Sequence, residues 1–291
     1  YLKKSKKPYV LKDTLIIPKN TVLIIKNSID LIIKNNGCII NNGSLFFGEN
    51  NLDSLFFFND KNLLNKTFVY NLNISSNNKS EIKNNNNLVF NNVNLSGINI
   101  YNNSELIINN SLLINSYINT KNSNLKLRDS FLNESSFYLN NSSVFFNNLI
   151  VKSCEKININ SCENLIINNC LLYNNSTIDL NKSFNNSIIN NVFYNNNKAL
   201  IIKNKKGYNK VFNNLFIKNK TSLELKDSSI VYIINNNFDN NEIAIKALLN
   251  NKTNNFIISK NNIYSYNLND FKLKNNEIKH SYCISNKDTL L

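Results

Sequence analysis

Apolar and polar positions repeat along the chain in a six-residue frame that reads apolar, any, Asn, Asn, any, apolar. Copies of this frame lie at 107–112, 166–171, 188–193, 211–216, 233–238 and 273–278. We take the second Asn of each pair as a marker. The markers are Asn92, Asn110, Asn148, Asn169, Asn191, Asn214, Asn236, Asn261 and Asn276, with Ser130 filling the one long gap. Their spacing of about 15 to 25 residues indicates a repeat architecture.

The segments between markers have the composition of short β-strands. Segments 199–202, 222–225 and 242–245 are rich in Leu and β-branched residues and are bounded by polar turn residues. No ten-residue stretch has helical periodicity. We therefore predict an all-β solenoid with about 18–25 residues per coil. A leucine-rich repeat is the alternative because its period is similar and it also uses Asn, but it requires a helical half-repeat that this chain lacks.

Asn has a physical role at the corner of each predicted coil. It tolerates the left-handed backbone region, and its amide both donates and accepts hydrogen bonds. Because stacked coils repeat every ~4.8 Å, a corner Asn can bond to the Asn of the next coil and form a ladder. The apolar residues beside the corner are then predicted to form one inward row, made of Leu112, Ile150, Leu171, Phe193, Phe216, Phe238 and Ile263.

At these residues the chain resembles the right-handed parallel β-helix repeat proteins, which have the pectate-lyase-like fold. Their repeat looks like I-x-N-N-x-F-x-N-N followed by a short apolar strand, and residues 188–196 and 233–241 match it. Residues 15–25 are similar to the family's L-x-I-P-x-G-x-x-L-x-I opening, with Asn20 in place of Gly. The resemblance covers about residues 10–280 and is weakest at 52–87. It implies a single-stranded right-handed parallel β-helix.

Composition and charge exclude some partners. Asn makes up about a quarter of the chain, which agrees with an A/T-rich genome, while 42% hydrophobic residues are enough to build a core. The net charge of +14 comes almost wholly from scattered Lys. Arg128 is the only Arg, and no basic-aromatic motif for base stacking is present, so we expect no nucleic-acid partner. The chain contains no apolar run of 18 or more residues, so its sequence predicts no membrane-spanning helix.

Residues that could carry chemistry are few. The resemblance implies polysaccharide lyases, hydrolases or epimerases, but their signatures (Arg-x-Pro-x-x-Arg, Asn-Thr-Asp with Gly-His-Gly, and Asp-Pro-His) are absent. The nearest carboxyl cluster is Asp227, Asp239 and Glu242, which we interpret as solvated turn residues. The other candidates, interpreted as surface residues, are Glu155, Glu163, Arg128 and His280. We assign no catalytic, cofactor-binding or metal residue, and no cofactor.

The five cysteines do not have the spacing of a metal site. Cys154, Cys162 and Cys170 are spaced by eight residues, unlike the two-to-four-residue spacing of zinc ligands, and Cys38 and Cys283 lie near opposite ends. We interpret all five as small buried core residues. The sequence does not decide whether two of them form a disulfide.

These observations predict one parallel β-helix domain over 1–291. It would comprise N-terminal coils at 10–51, irregular coils or an insertion at 52–87, regular repeats at 88–280 and a tail at 281–291. We expect a segment of a longer protein, located outside the cell or on its surface. The predicted function is a non-catalytic rigid scaffold or glycan-binding surface, with a polysaccharide or cell-surface glycan as partner. The alternative is a divergent carbohydrate-active enzyme.

Overall fold

The computed structural model describes residues 7–26, 30–34, 37–48, 66–204, 207–226, 230–248, 256–274, 279–281 and 283–285. These residues form parallel β-strands and contain no helix, so the all-β prediction is confirmed and the leucine-rich repeat is wrong. The chain divides into two compact units, 1–136 and 137–291. The predicted division into one domain with its four segments stays a prediction.

The strands of the first unit form three parallel pairings per coil. Strands β7 and β8 are long because each passes through the bends of a whole coil; they pair with each other, and each pairs with three shorter strands. Its strands are β1 (Tyr9–Leu11), β2 (Thr14–Ile17), β3 (Val22–Lys26), β4 (Asp30–Ile33), β5 (Cys38–Asn41), β6 (Ser44–Gly48), β7 (Lys66–Asn84), β8 (Asn87–Asn102), β9 (Leu106–Asn109), β10 (Leu112–Ile114), β11 (Tyr117–Lys121), β12 (Asn124–Arg128) and β13 (Phe131–Asn133).

In the second unit each strand from β17 onward pairs with the third strand along the chain, which gives three strands per coil. Its strands are β14 (Ser136–Asn140), β15 (Ser143–Asn147), β16 (Ile150–Lys152), β17 (Ile157–Asn160), β18 (Ile166–Asn168), β19 (Leu171–Tyr173), β20 (Ile178–Asn181), β21 (Asn186–Ile189), β22 (Val192–Tyr194), β23 (Lys198–Lys203), β24 (Tyr208–Phe212), β25 (Leu215–Ile217), β26 (Thr221–Lys226), β27 (Ile230–Ile234), β28 (Asn237–Asp239), β29 (Ile243–Leu248), β30 (Phe256–Lys260), β31 (Ile263–Ser265), β32 (Asn269–Lys274), β33 (Lys279–Ser281) and β34 (Ile284–Ser285).

Two rows of buried Asn run from coil to coil in the second unit. The first asparagine row is Asn191, Asn214, Asn236 and Asn262, and the second is Asn196, Asn219, Asn241 and Asn267. After the first member of each row, every Oδ1 accepts the backbone N–H of the preceding row member at 2.8–2.9 Å. The same Oδ1 accepts the preceding Nδ2 at 2.9–3.1 Å. At the turn these backbone N–H groups no longer pair with a neighbouring strand, and the Asn side-chain oxygens accept their hydrogen bonds instead.

Where Asn is missing from an inward corner, Ser or Cys replaces it. In the first unit the Oγ of Ser130 accepts the N–H of Ser111 at 3.1 Å. In the second unit Cys162 Sγ accepts the N–H of Ser142 at 3.4 Å. Cys154 and Cys170 occupy the other two corners of the same coil, where their N–H groups donate to the next coil. The three cysteines are eight residues apart because that is the number of residues from one corner of this coil to the next.

None of the five cysteines forms a disulfide with another described residue. Cys38, Cys154, Cys162 and Cys170 are buried, as predicted, whereas Cys283 is half-buried. Burial raises the pKa of the Cys170 thiol to about 12, so this side chain is not a nucleophile near neutral pH.

The predicted marker set combines two corner positions that differ by one residue. The left-handed residue of the corner is the second Asn in some copies, such as Asn110 (φ 46°) and Asn169 (φ 57°). In other copies it is the first Asn, such as Asn190 (φ 58°) and Asn213 (φ 54°), and the marker is the inward residue that follows. The frames 107–112 and 166–171 are therefore one residue out of step with 188–193 and 211–216.

This offset makes part of the predicted inward row wrong. Phe193, Phe216 and Phe238 are fully buried, and their rings stack with centroids 4.8 Å apart. The other four predicted members, Leu112, Ile150, Leu171 and Ile263, face outward, and the buried residues are Leu113, Val151, Leu172 and Tyr264. Because side chains alternate along a strand, a shift of one residue moves a side chain to the opposite face.

Substitution of neighbouring residues tests this register. Ile150→Lys changes a side chain that is 46% exposed, so we expect less than about 0.5 kcal/mol loss of unfolding free energy. Val151→Lys places a charge at a position that is 2% exposed, and we expect a loss above ~3 kcal/mol or no folded protein. Denaturant unfolding followed by circular dichroism measures both. Equal losses would contradict the register.

A second pair of substitutions tests the first asparagine row. Asn214→Ala removes the acceptor of the Asn191 N–H and the donor to the Ile188 carbonyl, so we expect a loss of roughly 2–5 kcal/mol. The adjacent Asn213 is exposed and left-handed, so Asn213→Ala is the matched control and should cost only about 1–2 kcal/mol. Chemical unfolding separates the two. A larger loss for Asn213→Ala would overturn the role of the row.

Candidate anion-binding face

One outward face of the second unit carries two buried carboxylates among lysines. It is built by β20, β23, β26 and β29, which pair in that order. Leu223 and Leu225 of β26 point inward, so alternation places Glu224 between them on the outer side. Glu224 nevertheless has 0% exposure. We call the residues Lys156, Asp179, Lys198, Lys203, Glu224, Lys226 and Lys246 the lysine–carboxylate face.

Three lysines surround the Glu224 carboxylate. Lys226 Nζ lies 2.6 Å from Oε1, and Lys198 Nζ lies 3.0 Å from Oε2. Lys246 Nζ, from the next strand, lies 3.6 Å from Oε2. The lysine side chains keep 26–39% of their surface exposed, whereas the Glu224 side chain is fully buried.

Asp179 forms a second centre on β20. Its Oδ2 accepts Lys203 Nζ at 2.9 Å and Lys156 Nζ at 3.0 Å. Asp179 and Glu224 share one register row, with Ile201 between them. Since adjacent strands are ~4.8 Å apart, their backbones lie about 9.6 Å apart. Five lysines meet two carboxylates, so the face has an excess of positive charge.

Glu224 is ionised in the folded protein. Burial alone would raise the pKa of its carboxyl group, but hydrogen bonds from Lys226 and Lys198 outweigh burial and lower the pKa below its ordinary value of 4.5. A carboxylate with a lowered pKa does not donate a proton near neutral pH. Its chemistry is therefore to hold three ammonium groups in place and not to act as a general acid.

Stability alone does not explain this buried carboxylate. The preceding coil has Ile201 at the same register position, so an apolar side chain fits there. Replacing buried ion pairs by apolar residues is often neutral or stabilising. Asp179 Oδ1 and Ser222 Oγ are also buried and have no hydrogen-bond partner among the described residues. Such an arrangement is typical of a functional surface.

The residues singled out in the sequence do not converge on this face. Asp239 accepts a hydrogen bond from Ser265 at 2.7 Å, and Glu242 is exposed in a turn. Glu155, Glu163 and Arg128 are exposed. Asp227 and the His280 side chain lie outside the described residues. Among the described residues no three His, Cys, Asp or Glu side chains could hold a metal ion, and no helix is long and apolar enough to cross a membrane.

Sequence reasoning missed Glu224, which it placed only in the predicted strand 222–225, and Asp179, to which it assigned no role. A signal was present: Glu224 is an acidic residue between the apolar Leu223 and Leu225, with Lys226 two positions later and Lys246 at the same place in the next repeat. An acidic residue in that setting predicts an outward charge cluster between neighbouring coils.

Comparisons with known proteins identify the fold. No family model and no curated protein matches the chain. Tailspike protein 3 of bacteriophage CBA120 aligns with 96% of the chain at 12% identity and a TM-score of 0.50. The fold is a right-handed parallel β-helix. The chain spans 57% of that tailspike's length, and at this identity the likeness concerns the β-helix alone.

Two further β-helix structures are similar at lower scores. The periplasmic alginate epimerase AlgG aligns with 93% of the chain and 78% of its own, at 8% identity and a TM-score of 0.47. The A-module of the Azotobacter vinelandii mannuronan C-5 epimerase AlgE6 aligns with 95% of the chain and 91% of its own, at 9% identity and a TM-score of 0.44.

The charge state of Glu224 predicts a pH dependence of stability. Its pKa is lower in the folded than in the unfolded chain, so its contribution is complete above pH 4.5 and is lost as the pH falls through the folded value. Glu224→Gln should reduce stability at neutral pH, and the difference from the native protein should shrink below pH 4.5. Thermal melts across this range measure it. Exposed Glu163→Gln is the control, and a difference independent of pH would contradict the assignment.

Proposed function

We propose that this β-helix is a non-catalytic, extracellular or cell-surface scaffold whose lysine–carboxylate face binds an anionic polysaccharide. The arrangement of three accessible lysines around the buried, ionised Glu224 carries this proposal. The carboxylate restricts the lysine side chains before a ligand arrives, which lowers the entropy lost on binding.

The geometry favours a linear polymer over a small anion. The lysines come from several consecutive coils, and Lys272 continues the row beyond Lys246 as an exposed side chain. Because coils repeat every ~4.8 Å, a chain of acidic sugars laid across the coils could meet several ammonium groups at once. Many weak contacts of this kind give substantial affinity together.

Catalysis is the second candidate function, and one observation favours it. Asp179 and Glu224 are two buried carboxylates on one outward face, and a glycoside hydrolase needs a pair of carboxyl groups. Such an enzyme needs one carboxyl group with a raised pKa, whereas the lysines lower the pKa of Glu224. The ion pairs therefore favour binding over hydrolysis.

Charge-removing variants test the proposal. The triple variant Lys203→Gln, Lys246→Gln, Lys272→Gln leaves at least one lysine on each carboxylate and should weaken binding of polygalacturonate or alginate roughly tenfold, since each exposed ion pair contributes about 0.2–1 kcal/mol. Titration calorimetry at low and high salt measures this. The control Lys152→Gln, Lys182→Gln, Lys260→Gln removes equal charge from other strands and turns.

Three outcomes would overturn the proposal. Equal weakening by the control variant would mean that binding follows net charge and not this face. Equal affinity for duplex DNA would mean that the lysines do not select a polysaccharide. Release of reducing or unsaturated ends from either polymer by the purified protein would establish the enzyme instead.

A further inference from the structure

A polar cleft lies at the turns that lead into β23, β26 and β29, beside the lysine–carboxylate face. Its volume is about 430 Å³, within the range of small-ligand sites. Its lining contains no aromatic or aliphatic side chain, which sets it apart from apolar ligand pockets. The lining residues are Asn175, Asn195, Asn196, Asn197, Lys218, Asn219, Lys220, Asn240 and Glu242.

The cleft has a rigid frame. Asn175, Asn195, Lys218 and Asn240 all have left-handed φ values between 53° and 68°. The N–H of Asn195 donates to the Ile217 carbonyl at 3.1 Å, and that of Lys218 donates to the Asp239 carbonyl at 3.1 Å. The buried Asn196 and Asn219 belong to the second asparagine row, so their amides are already committed to the fold. The frame is therefore fixed before any ligand binds.

The side chains around this frame are available to a ligand. Those of Asn175, Asn197, Asn240, Lys218, Lys220 and Glu242 are exposed and have no hydrogen bond or ion pair with the described residues. Together they provide amide groups that both donate and accept, two ammonium donors and one carboxylate acceptor. Adjacent sugar hydroxyls also donate and accept, so this set matches a polyhydroxylated ring.

We propose that the cleft binds one neutral sugar residue through its hydroxyl groups. The assignment to a glycan rests on the proposed function, but the site and its chemistry are separate from the lysine–carboxylate face. Glu242 can accept hydrogen bonds from two adjacent hydroxyls and offsets one of the two lysine charges, so the cleft is less positive than the lysine–carboxylate face. Without a stacking aromatic, affinity for a single sugar is weak, and the cleft selects the sugar while the lysines supply most of the affinity.

Saturation-transfer NMR with methyl glycosides of glucose, galactose and mannose, and with galacturonate, tests the cleft on the whole chain. We expect at least one neutral glycoside to bind, with affinity unchanged between about 0.05 and 0.5 M NaCl because no ion pair with the ligand is screened. The double variant Asn197→Ala, Glu242→Ala should weaken that binding at least about fivefold, as expected when charged and amide hydrogen bonds are lost. The control variant Glu155→Ala, Glu163→Ala removes two exposed side chains from another coil and should bind as the native chain does.

The outcomes separate this inference from the proposed function. If acidic polymers bind through the lysines but no neutral glycoside binds, or if the cleft variant binds glycosides normally, the cleft assignment is wrong and the proposed function stands. If a neutral glycoside binds in the cleft while acidic polymers do not bind, the cleft assignment stands and the anionic ligand is wrong. Tighter binding of galacturonate than of every neutral glycoside, lost in the Asn197→Ala, Glu242→Ala variant, would also overturn the neutral-sugar assignment.

Discussion

The structure depends on one constraint: at each corner of a coil the chain must bend without leaving a buried backbone N–H without a hydrogen-bond acceptor. A left-handed residue makes the turn, and the inward residue after it accepts the N–H of the equivalent residue one coil earlier. The acceptor atom differs from corner to corner: it is Oγ in Ser130, Sγ in Cys162 and Oδ1 in Asn214. Since a buried orphan donor costs about 1–3 kcal/mol, the choice at these corners is limited to short side chains with an acceptor.

This constraint divides the interior into polar rows at the corners and apolar rows on the faces. The stacked rings of Phe193, Phe216 and Phe238 occupy one face between the two asparagine rows. Because the strands are parallel and in register, each ring packs against the ring at the same position of the next coil. This is why the same side chain, Phe, recurs along the row. With the backbone satisfied internally, the outward positions of each strand are free to vary.

Function is then expected on the outside of the coils, where Glu224 stands in the register position that Ile201 occupies one coil earlier. This carboxylate is buried and paired with lysines whose side chains keep part of their surface in water. Close by, the turns present amides that pair with none of the described residues, on a frame that the second asparagine row fixes. One rigid scaffold thus presents a charged surface and a polar cleft side by side.

The sequence by itself determined the coil, because left-handed Asn corners and short apolar strands are local features that recur with the coil length. It also identified Phe193, Phe216 and Phe238 as inward residues. It did not determine the register at Ile150 and Val151, since two adjacent apolar residues fit either face. The lysine–carboxylate face was decided only by the tertiary structure. Lys198, Glu224 and Lys246 are more than 20 residues apart in sequence, and stacking of successive coils brings their charges within ion-pair distance.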